Sequence, residues 1–300
     1  MAKALLIANP NAARTAAAAV KGIEQVFRTA GWTLETLATG GPGDARKLSE
    51  YGVSSGVDMV AVFGGDGTTM QAAAALVGTD VTLGVIPGGT GNLLAGNLKL
   101  PNNPVKAIDA ILRGSVRALD LGQMERDDGT HYFAVACGAG ADARVMAETP
   151  SRQKHKWGMM AYFATTLRVL PQVRSVPYEV TVDGSVTQLD AAMLLVANCG
   201  DIIPPIIRLG QGISPEDGLL DLVVFQSNSV GGSVRAVWDL LTDASGTYGK
   251  DVFVGYARGK EISVKTLDGP QPVQLDGEAG GETPFVATVV PGAIRVGHPG

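Results

Sequence analysis

The 300-residue sequence has little cysteine, little net charge and no long apolar run. Its two cysteines, Cys137 and Cys199, lie in apolar strand-like segments without a zinc-binding pattern, so they predict buried thiols in a reducing compartment. The 24 basic and 29 acidic residues give a net charge of −5, which disfavours a nucleic-acid partner. No apolar run approaches the roughly 18 residues that span a bilayer, and the N-terminus lacks a signal-peptide pattern. These absences predict a cytoplasmic protein.

Hydrophobic residues and glycines are abundant instead. Hydrophobic residues make up 45% of the chain, which supports sizeable buried cores, and the length suits two domains. The 40 glycines cluster at a few turns, where a residue without Cβ lets the backbone approach a ligand. We therefore expect sites built from the main chain.

The first half alternates short apolar strands with helical patterns, which favours a parallel sheet covered on both faces. The predicted strands are Ala4–Ala8, Thr33–Leu37, Met59–Phe63 and Val81–Ile86, and the predicted helices are Ala12–Thr29, Gly43–Tyr51 and Met70–Val77. The fold class expected here is an α/β nucleotide-binding domain over residues 1–118.

The second half has strand-like runs separated by turns such as Asp183-Gly184, which is typical of hairpins. The predicted strands are Val116–Leu121, Thr130–Cys137, Pro177–Val182, Ala192–Ala197, Leu219–Phe225, Glu261–Lys265, Val273–Leu275 and Phe285–Val290. Two helical stretches, Trp157–Leu170 and Val230–Asp243, interrupt them. We predict an antiparallel β-rich domain over residues 119–300, whose C-terminal segment either stays there or returns to the first domain.

Three turns follow predicted strands of the first domain: Asn9-Pro10-Asn11, Gly64 to Thr69, and Gly88 to Asn92. Ligands of open α/β sheets bind at the carboxyl ends of the strands, so we expect the turns at one edge of the sheet. Backbone N–H groups and the hydroxyls of Thr68, Thr69 and Thr90 suit phosphate oxygens. Asp66 would repel phosphate, so we expect it to hold Mg²⁺ or a bridging water.

Other nucleotide-binding motifs do not fit. The chain has no Gly-x-x-x-x-Gly-Lys-Ser/Thr sequence. The segment Gly138 to Ala143 fits a loose Gly-x-Gly-x-x-Ala pattern, but no acidic residue lies about 20 residues further on to bind a ribose. A dinucleotide-binding dehydrogenase is therefore disfavoured.

Taken in order, these motifs resemble the diacylglycerol kinase catalytic domain, above all the soluble bacterial diacylglycerol and lipid kinases, which sphingosine kinases also resemble. The motifs are Asn9-Pro10, Gly64-Gly65-Asp66-Gly67-Thr68, Pro87-Gly88-Gly89-Thr90-Gly91-Asn92, Asp217-Gly218-Leu219-Leu220-Asp221 and Leu275-Asp276-Gly277-Glu278. The resemblance implies an α/β nucleotide domain followed by a β-rich domain, with the active site in the cleft between them.

The resemblance also implies roles for individual residues. ATP would contact Asn9, Thr39, Gly64, Gly65, Asp66, Gly67, Thr68, Thr69, Met70, Gln71, Thr90 and Asn92. A structural Mg²⁺ would bind Asp217 and the main-chain oxygens of Ser214 and Leu219. Glu278 would take the proton of the acceptor hydroxyl, with Asp276 beside it, and Asp66 would complete the catalytic set.

The sequence departs from the family pattern at a few positions. Met70 and Gln71 stand where the family usually has Asn and Glu, and Leu93 stands where many members have Asp. The segment Gly200–Gly210 also lacks the usual glycine- and aromatic-rich character. Because this segment is expected to face the acceptor, the departure concerns the identity of the substrate more than the activity. The basic start Arg152–Trp157 of a predicted apolar helix fits either an anionic lipid surface or a solvated helix end.

The sequence thus predicts a kinase that uses ATP and Mg²⁺ to phosphorylate a lipid hydroxyl, with diacylglycerol as acceptor and phosphatidic acid as product. The alternatives are a sphingoid-base kinase, an NAD kinase and a nucleotide-binding regulator without catalysis. We expect the enzyme to be cytoplasmic, with contact to the inner membrane surface as a further expectation. By analogy with bacterial members of the family, we also expect the protein to form a homodimer.

Overall fold

The computed structural model describes residues 1–126, 129–140, 175–203, 207–209, 212–226 and 254–300. The predicted helices Trp157–Leu170 and Val230–Asp243, and the basic segment Arg152–Trp157, lie outside these residues. The chain divides into two compact units, which are residues 1–119 with 292–300, and residues 120–291.

The first unit is an α/β domain with a parallel sheet. Its strands are β1 (Lys3–Ala8), β2 (Thr33–Ala38), β3 (Met59–Gly64) and β4 (Thr82–Pro87), and its helices are α1 (Ala17–Thr29), α2 (Asp44–Ser54), α3 (Asp66–Leu76), α4 (Leu93–Asn97) and α5 (Pro104–Arg113). The strands lie in the order β2-β1-β3-β4 and all pair in parallel.

Burial in this sheet follows the sequence pattern. Strands β3 and β4 are buried along their whole length, as continuous apolar runs of a parallel sheet predict. Helix α5, which the sequence patterns did not predict, begins with Pro104 after Asn103, whose side chain accepts hydrogen bonds from the N–H groups of Val105 and Lys106. The predicted α/β class of the first half is confirmed.

The second unit is made of antiparallel strands. After β5 (Ser115–Arg126), which enters it from the first unit, the strands are β6 (Gly129–Phe133), β7 (Ala136–Gly140), β8 (Val176–Val182), β9 (Ser185–Ala191), β10 (Met193–Ala197), β11 (Asp201–Ile203), β12 (Ile207–Arg208), β13 (Leu220–Phe225), β14 (Val254–Gly259), β15 (Glu261–Thr266), β16 (Pro272–Leu275), β17 (Glu278–Glu282) and β18 (Phe285–His298). One sheet has the order β14-β13-β10-β7-β16-β17.

The other strands of this unit also pair as antiparallel neighbours: β5 with β6, β9 with β8, β8 with β15, β15 with the first residues of β18, and β11 with β12. Side chains from both groups of strands, among them Phe133, Tyr178 and Val224, form one buried apolar cluster. The β-rich class predicted for the second half is confirmed. Among the residues that the structure describes, every helix is too short or too polar to span a bilayer.

Several element boundaries differ from the predicted ones. The single strand predicted over Thr130–Cys137 is two strands, β6 and β7, with a bend at Ala134 and Val135. Helix α3 begins at Asp66, four residues before the predicted start at Met70, because Gly65 alone connects it to β3. The last strand extends to His298, and its final residues pair in parallel with β4 in the first unit.

Candidate active site

The carboxyl ends of β1, β3 and β4 lie side by side in the first unit. Ala8 is opposite Phe63, and Gly64 is opposite Pro87. Beyond the strands, the Gly88 N–H donates a hydrogen bond to the Gly64 carbonyl at 2.8 Å. The three turns therefore lie at one edge of the sheet, as the sequence predicts.

Two of these turns pack closely against each other at Gly88 and Gly89. A Cβ on Gly89 would lie 2.6 Å from the Cα of Gly65, and a Cβ on Gly88 would lie 3.0 Å from the backbone nitrogen of Gly64. Neither neighbour is a side chain that can rotate away. The glycines thus allow two main-chain segments to touch, which leaves a surface of backbone groups at the end of the sheet.

The carboxylate of Asp66 lies between the same two turns. Its oxygens accept hydrogen bonds from the N–H groups of Asn92, at 2.8 Å, and Leu93, at 2.6 Å. Both donors belong to the start of α4, where N–H groups have no partner within the helix. Asp66 therefore connects the two glycine turns through hydrogen bonds. The sequence analysis predicted instead that Asp66 binds Mg²⁺ or a bridging water.

Asn92 gives the second turn its shape. Its φ of 52° is in the left-handed region, which asparagine tolerates better than most residues. Its side-chain oxygen accepts the Gly89 N–H and its amide donates to the Gly89 carbonyl, both at 2.9 Å. Asn92 is buried, and its side chain holds the turn in shape.

The hydroxyl groups of the predicted phosphate site have different surroundings. Thr68 Oγ1 accepts a hydrogen bond of 2.8 Å from the side-chain amide of Asn9, which leaves the Thr68 proton available for another acceptor. Thr69 is buried and donates its hydroxyl to the Gly65 carbonyl at 3.0 Å. Thr90 is exposed. Thr68 and Thr90 therefore remain candidates for phosphate contacts, and Thr69 serves its own helix.

The loop that follows β2 is fixed to the same region. Thr39 is buried, and its N–H bonds to the Ala8 carbonyl at 3.0 Å. The side-chain oxygen of Gln71 accepts the Gly43 N–H at 3.1 Å. Gln71 thus connects α3 to the loop after Thr39, which gives a structural role to one departure from the family pattern. Met70, the other departure on this helix, is half-buried.

Arg14 is a candidate that the sequence patterns did not reveal. Its backbone N–H donates to the Gly88 carbonyl at 2.9 Å, so the residue lies beside the second glycine turn. Its side chain is exposed. An arginine near backbone groups that suit an anion has the charge expected beside phosphates. Arg14 lies far from Gly88 in the sequence and comes close to it only in the folded chain, so no local sequence pattern marks Arg14 as a candidate.

In the second unit, Asp276 and Gly277 form the two-residue turn between β16 and β17. Their φ values of 44° and 87° are both left-handed, as a tight hairpin turn requires. The Asp276 carboxylate accepts hydrogen bonds from the N–H groups of Ala134, Val135 and Ala136, at 2.6, 2.8 and 2.9 Å. Asp276 therefore anchors the hairpin to the bend between β6 and β7.

Glu278 differs from Asp276 although only Gly277 separates them. Glu278 begins β17, and its side chain is exposed. An exposed carboxylate on a firmly anchored hairpin is free to accept a proton from a ligand. The structure separates an anchoring carboxylate from an open one, which the sequence spacing did not distinguish.

The two buried thiols are confirmed as free cysteines near this anchor. Burial raises the pKa of Cys137, and the charge of Asp276 adds to that effect. Burial raises the pKa of Cys199 as well, and the charges of Asp276 and Asp201 contribute in the same direction. Both thiols are therefore neutral and inert in the folded chain.

The loop predicted to bind a structural metal lies next to Arg258. Asp217 Oδ1 accepts the Leu219 N–H at 3.1 Å, and its Oδ2 is paired with the Arg258 guanidinium. Asp221, which is completely buried, accepts from Arg258 Nε at 2.7 Å. Burial alone would lower the pKa of Arg258, but Asp221 and Asp217 outweigh this and raise it.

These contacts do not fit a divalent ion on Asp217. One Asp217 oxygen accepts a backbone N–H and the other is paired with the positive guanidinium of Arg258, which opposes a second cation at the same carboxylate. Within the described ranges, no group of three His, Cys, Asp or Glu side chains lies close enough to hold a metal. The assignment of Ser214, Asp217 and Leu219 as ligands remains a prediction from the resemblance.

Comparison with known proteins finds family matches over most of the chain. Residues 3–124 match the family model of the diacylglycerol kinase catalytic domain, and residues 135–298 match the YegS C-terminal NAD kinase beta sandwich-like domain. A diacylglycerol kinase of Mycobacterium tuberculosis is 30% identical over 99% of this chain and 95% of its own length. A diacylglycerol kinase of Bacillus subtilis is 29% identical over 95% of this chain and 92% of its own length.

Solved structures agree with this result. A crystal structure from Bacillus anthracis strain Sterne matches with a TM-score of 0.83 and 27% identity, covering 99% of this chain and 95% of that one. A diacylglycerol kinase structure from the same strain matches with a TM-score of 0.77 and 23% identity, covering 99% and 96%, which shows the shared fold.

Proposed function

Because this chain belongs to the diacylglycerol kinase family, we propose that it transfers the γ-phosphoryl group of ATP to a lipid hydroxyl, with diacylglycerol as the acceptor and phosphatidic acid as the product. The observation that carries this proposal is the pair of glycine turns joined by Asp66 at the end of the parallel sheet. Such a surface of backbone groups suits the phosphates of a nucleotide.

ATP would bind in the first unit along the turns. Asn9 orients Thr68, whose hydroxyl proton remains available for a phosphate oxygen. Thr90 and the segment from Gly65 to Gln71 would lie along the nucleotide, with further donors from the first backbone N–H groups of α3, and Thr39 would lie beside it. Arg14 would add positive charge next to Gly88. Asp66 and Asn92 act indirectly, because their side chains shape the two turns.

Phosphoryl transfer depends mainly on positioning and on neutralising the phosphate charge. Mg²⁺ bound to ATP would supply part of that neutralisation. We assign no residue of this chain to the ion; the two Asp66 carboxylate oxygens accept hydrogen bonds from the α4 backbone.

Glu278 would accept the proton of the acceptor hydroxyl as that oxygen attacks the γ-phosphorus, while the bond from the γ-phosphorus to the β-phosphate oxygen breaks and ADP leaves. Its exposed carboxylate is available, whereas Asp276 is occupied by main-chain donors. Asp276 therefore positions the hairpin on which Glu278 lies. The location of the active site between the two domains stays a prediction.

A lipid acceptor requires access to a membrane surface. We propose peripheral contact with the inner leaflet, supported by the sequence of the basic segment Arg152–Trp157. The test is flotation with anionic and zwitterionic vesicles: binding to anionic vesicles alone supports the proposal, and binding to neither contradicts it. A homodimer is a further proposal, checked by sedimentation velocity at several protein concentrations.

The catalytic proposal is tested with radiolabelled ATP and purified protein. Mixed micelles contain diacylglycerol, monoacylglycerol, phosphatidylglycerol or sphingosine, and NAD is offered separately. The variants are Glu278→Gln and, as a matched control, Glu282→Gln, which changes another exposed glutamate of the same strand. We expect labelled phosphatidic acid, a loss of about 10²–10⁴-fold in kcat for Glu278→Gln, and little change for Glu282→Gln.

Each alternative has its own outcome in this assay. Label found only in sphingosine or only in NAD would make that compound the acceptor in place of diacylglycerol. NAD is included because residues 135–298 match an NAD kinase beta sandwich-like domain. ATP binding without any labelled product would favour a regulator. Full activity of Glu278→Gln would remove the assigned base while leaving the phosphoryl transfer itself in place.

A further inference from the structure

The loop from Gly212 to Leu219 is held by a network in which Arg258 is the central donor. Arg258 Nη2 donates to the Gly212 carbonyl at 3.2 Å and to the Asp217 carboxylate. Arg258 Nε pairs with Asp221 at 2.7 Å, and its Nη2 reaches the other Asp221 oxygen at 3.4 Å. One guanidinium thus joins the loop to the buried start of β13.

The other side of the loop is fixed without a cation. Asp120 Oδ2 accepts the Gly218 N–H at 2.7 Å, and the Asp120 N–H donates to the Pro215 carbonyl at 2.7 Å. Together with the Asp217–Leu219 contact, these bonds close the loop on both sides. The loop therefore has its conformation through contacts within the chain.

The charges at this point partly balance. Asp217 and Asp221 contribute two negative charges, and the Arg258 guanidinium contributes one positive charge in contact with both. The Asp221 side chain is 0% exposed, so its charge needs a partner inside the protein. Arginine suits this position, because its planar fork reaches several acceptors at once.

We infer that Arg258 is the built-in cation of the Gly212–Leu219 loop and takes the place of a divalent metal ion at Asp217. The positive charge of the guanidinium would repel a metal ion that approaches Asp217. Both carboxylate oxygens of Asp217 also already accept a hydrogen bond or an ion pair from this chain. The nucleotide-free chain consequently holds this loop in the absence of divalent cations. This inference goes beyond phosphoryl transfer and does not depend on it.

The first test measures Mn²⁺ binding to nucleotide-free protein by isothermal titration calorimetry, with Mn²⁺ as the probe for Mg²⁺. The wild-type chain and Asp217→Asn are compared without ATP or lipid. We expect the same number of bound ions for both. A Mn²⁺ site that is present in the wild type and lost in Asp217→Asn would overturn the inference.

The second test removes the internal cation. Arg258→Gln should gain a Mn²⁺ site that is at least about tenfold tighter than any at this loop in the wild type, because a unit positive charge a few ångströms away strongly opposes a divalent ion. Its melting temperature should rise when Mg²⁺ replaces EDTA, whereas that of the wild type should not. Arg258→Lys keeps the charge and should behave like the wild type.

The double variant Arg258→Gln/Asp217→Asn identifies the location of the gained site, which should disappear with the carboxylate. No gain of binding in folded Arg258→Gln would overturn the inference. If Arg258→Gln does not fold, the comparison of wild type with Asp217→Asn still decides. Since neither test uses phosphoryl transfer, failure here leaves the kinase proposal intact, and failure of the kinase assay leaves this inference intact.

Discussion

Three carboxylates that look alike in the sequence have different roles in the structure. Asp66 and Asp276 each follow a strand and accept main-chain N–H groups, whereas Glu278 is exposed. A carboxylate that accepts several backbone hydrogen bonds stabilises the fold, because removing it leaves those donors without partners. An exposed carboxylate contributes little to stability and remains available for chemistry.

This distinction predicts opposite behaviour for two neighbouring substitutions. Asp276→Asn should lower the free energy of unfolding by about 1–3 kcal/mol, because an amide cannot accept from all the donors at Ala134 to Ala136. Glu278→Gln should change it by less than about 0.5 kcal/mol while abolishing most activity. Urea unfolding of both variants measures this. Equal loss of stability in the two would contradict the assignment.

The buried thiols predict a pH effect. The folded-state pKa values of Cys137 and Cys199 are raised by burial, above an unfolded value of about 8.5. A neutral thiol favours the folded state, so this contribution is complete below the unfolded pKa and declines as the pH rises beyond it. We expect urea midpoints to fall above about pH 8.5.

Thiol labelling checks the same point directly. Both cysteines should react with Ellman's reagent at the rate of unfolding, with glutathione in the same buffer as the reactive control. Fast labelling of folded protein would show that the thiols are accessible, contrary to their burial.

Among the elements of the first domain, the turns that follow β3 and β4 pack tightly against each other and present their backbone groups at the end of the sheet. The contact between Gly65 and Gly89 brings two loops within van der Waals distance, and a Cβ on Gly89 would lie only 2.6 Å from the Cα of Gly65. Other glycines of the same domain have no such limit. Nothing lies within 4 Å of a Cβ placed on Gly41, although it is close in sequence to the predicted nucleotide contact Thr39.

A pair of alanine substitutions tests this difference. Gly89→Ala should lower the free energy of unfolding by about 1–3 kcal/mol, because overpacking forces the backbone to move. It should also weaken ATP binding, since the turns shift apart. Gly41→Ala should leave the free energy of unfolding almost unchanged. Thermal unfolding with and without ATP measures both effects, and equal stability of the two variants would refute the close-packing argument.

At the scale of the whole molecule, the chain leaves its first unit and returns to it. Residues 292–300 belong to the compact unit formed by residues 1–119. Arg295 and Val296 pair with β4 in parallel, and Ile294 is completely buried. The stability of the first unit therefore includes residues from the opposite end of the sequence.

Adjacent substitutions in the last strand test that contribution. Ile294→Ala should cost about 2–5 kcal/mol, as for other buried isoleucines. Arg295→Ala removes only an exposed ion pair with Asp80 and should cost less than about 1 kcal/mol. Urea unfolding compares the two. If Ile294→Ala is as stable as Arg295→Ala, the last strand does not support the first unit.

The fold class and the positions of the turns could be predicted from local residue patterns. Continuous apolar runs such as Met59–Phe63 predict buried parallel strands, and glycines directly after them predict turns at the sheet edge, because strand direction fixes where consecutive turns meet. The ordered motifs also determined the family. The early start of α3 at Asp66 was missed, because Gly65 is enough to connect strand and helix.

Which polar groups already have hydrogen-bond or ion-pair partners could be seen only in the folded chain. The partners of Asp276 lie more than 130 residues earlier in the chain, at Ala134 to Ala136. Arg258 meets Asp217 from another strand, and Arg14 meets the Gly88 turn across the sheet edge. Local sequence patterns do not encode such distant contacts, since hydrogen bonding and charge pairing depend on where the folded chain brings each group.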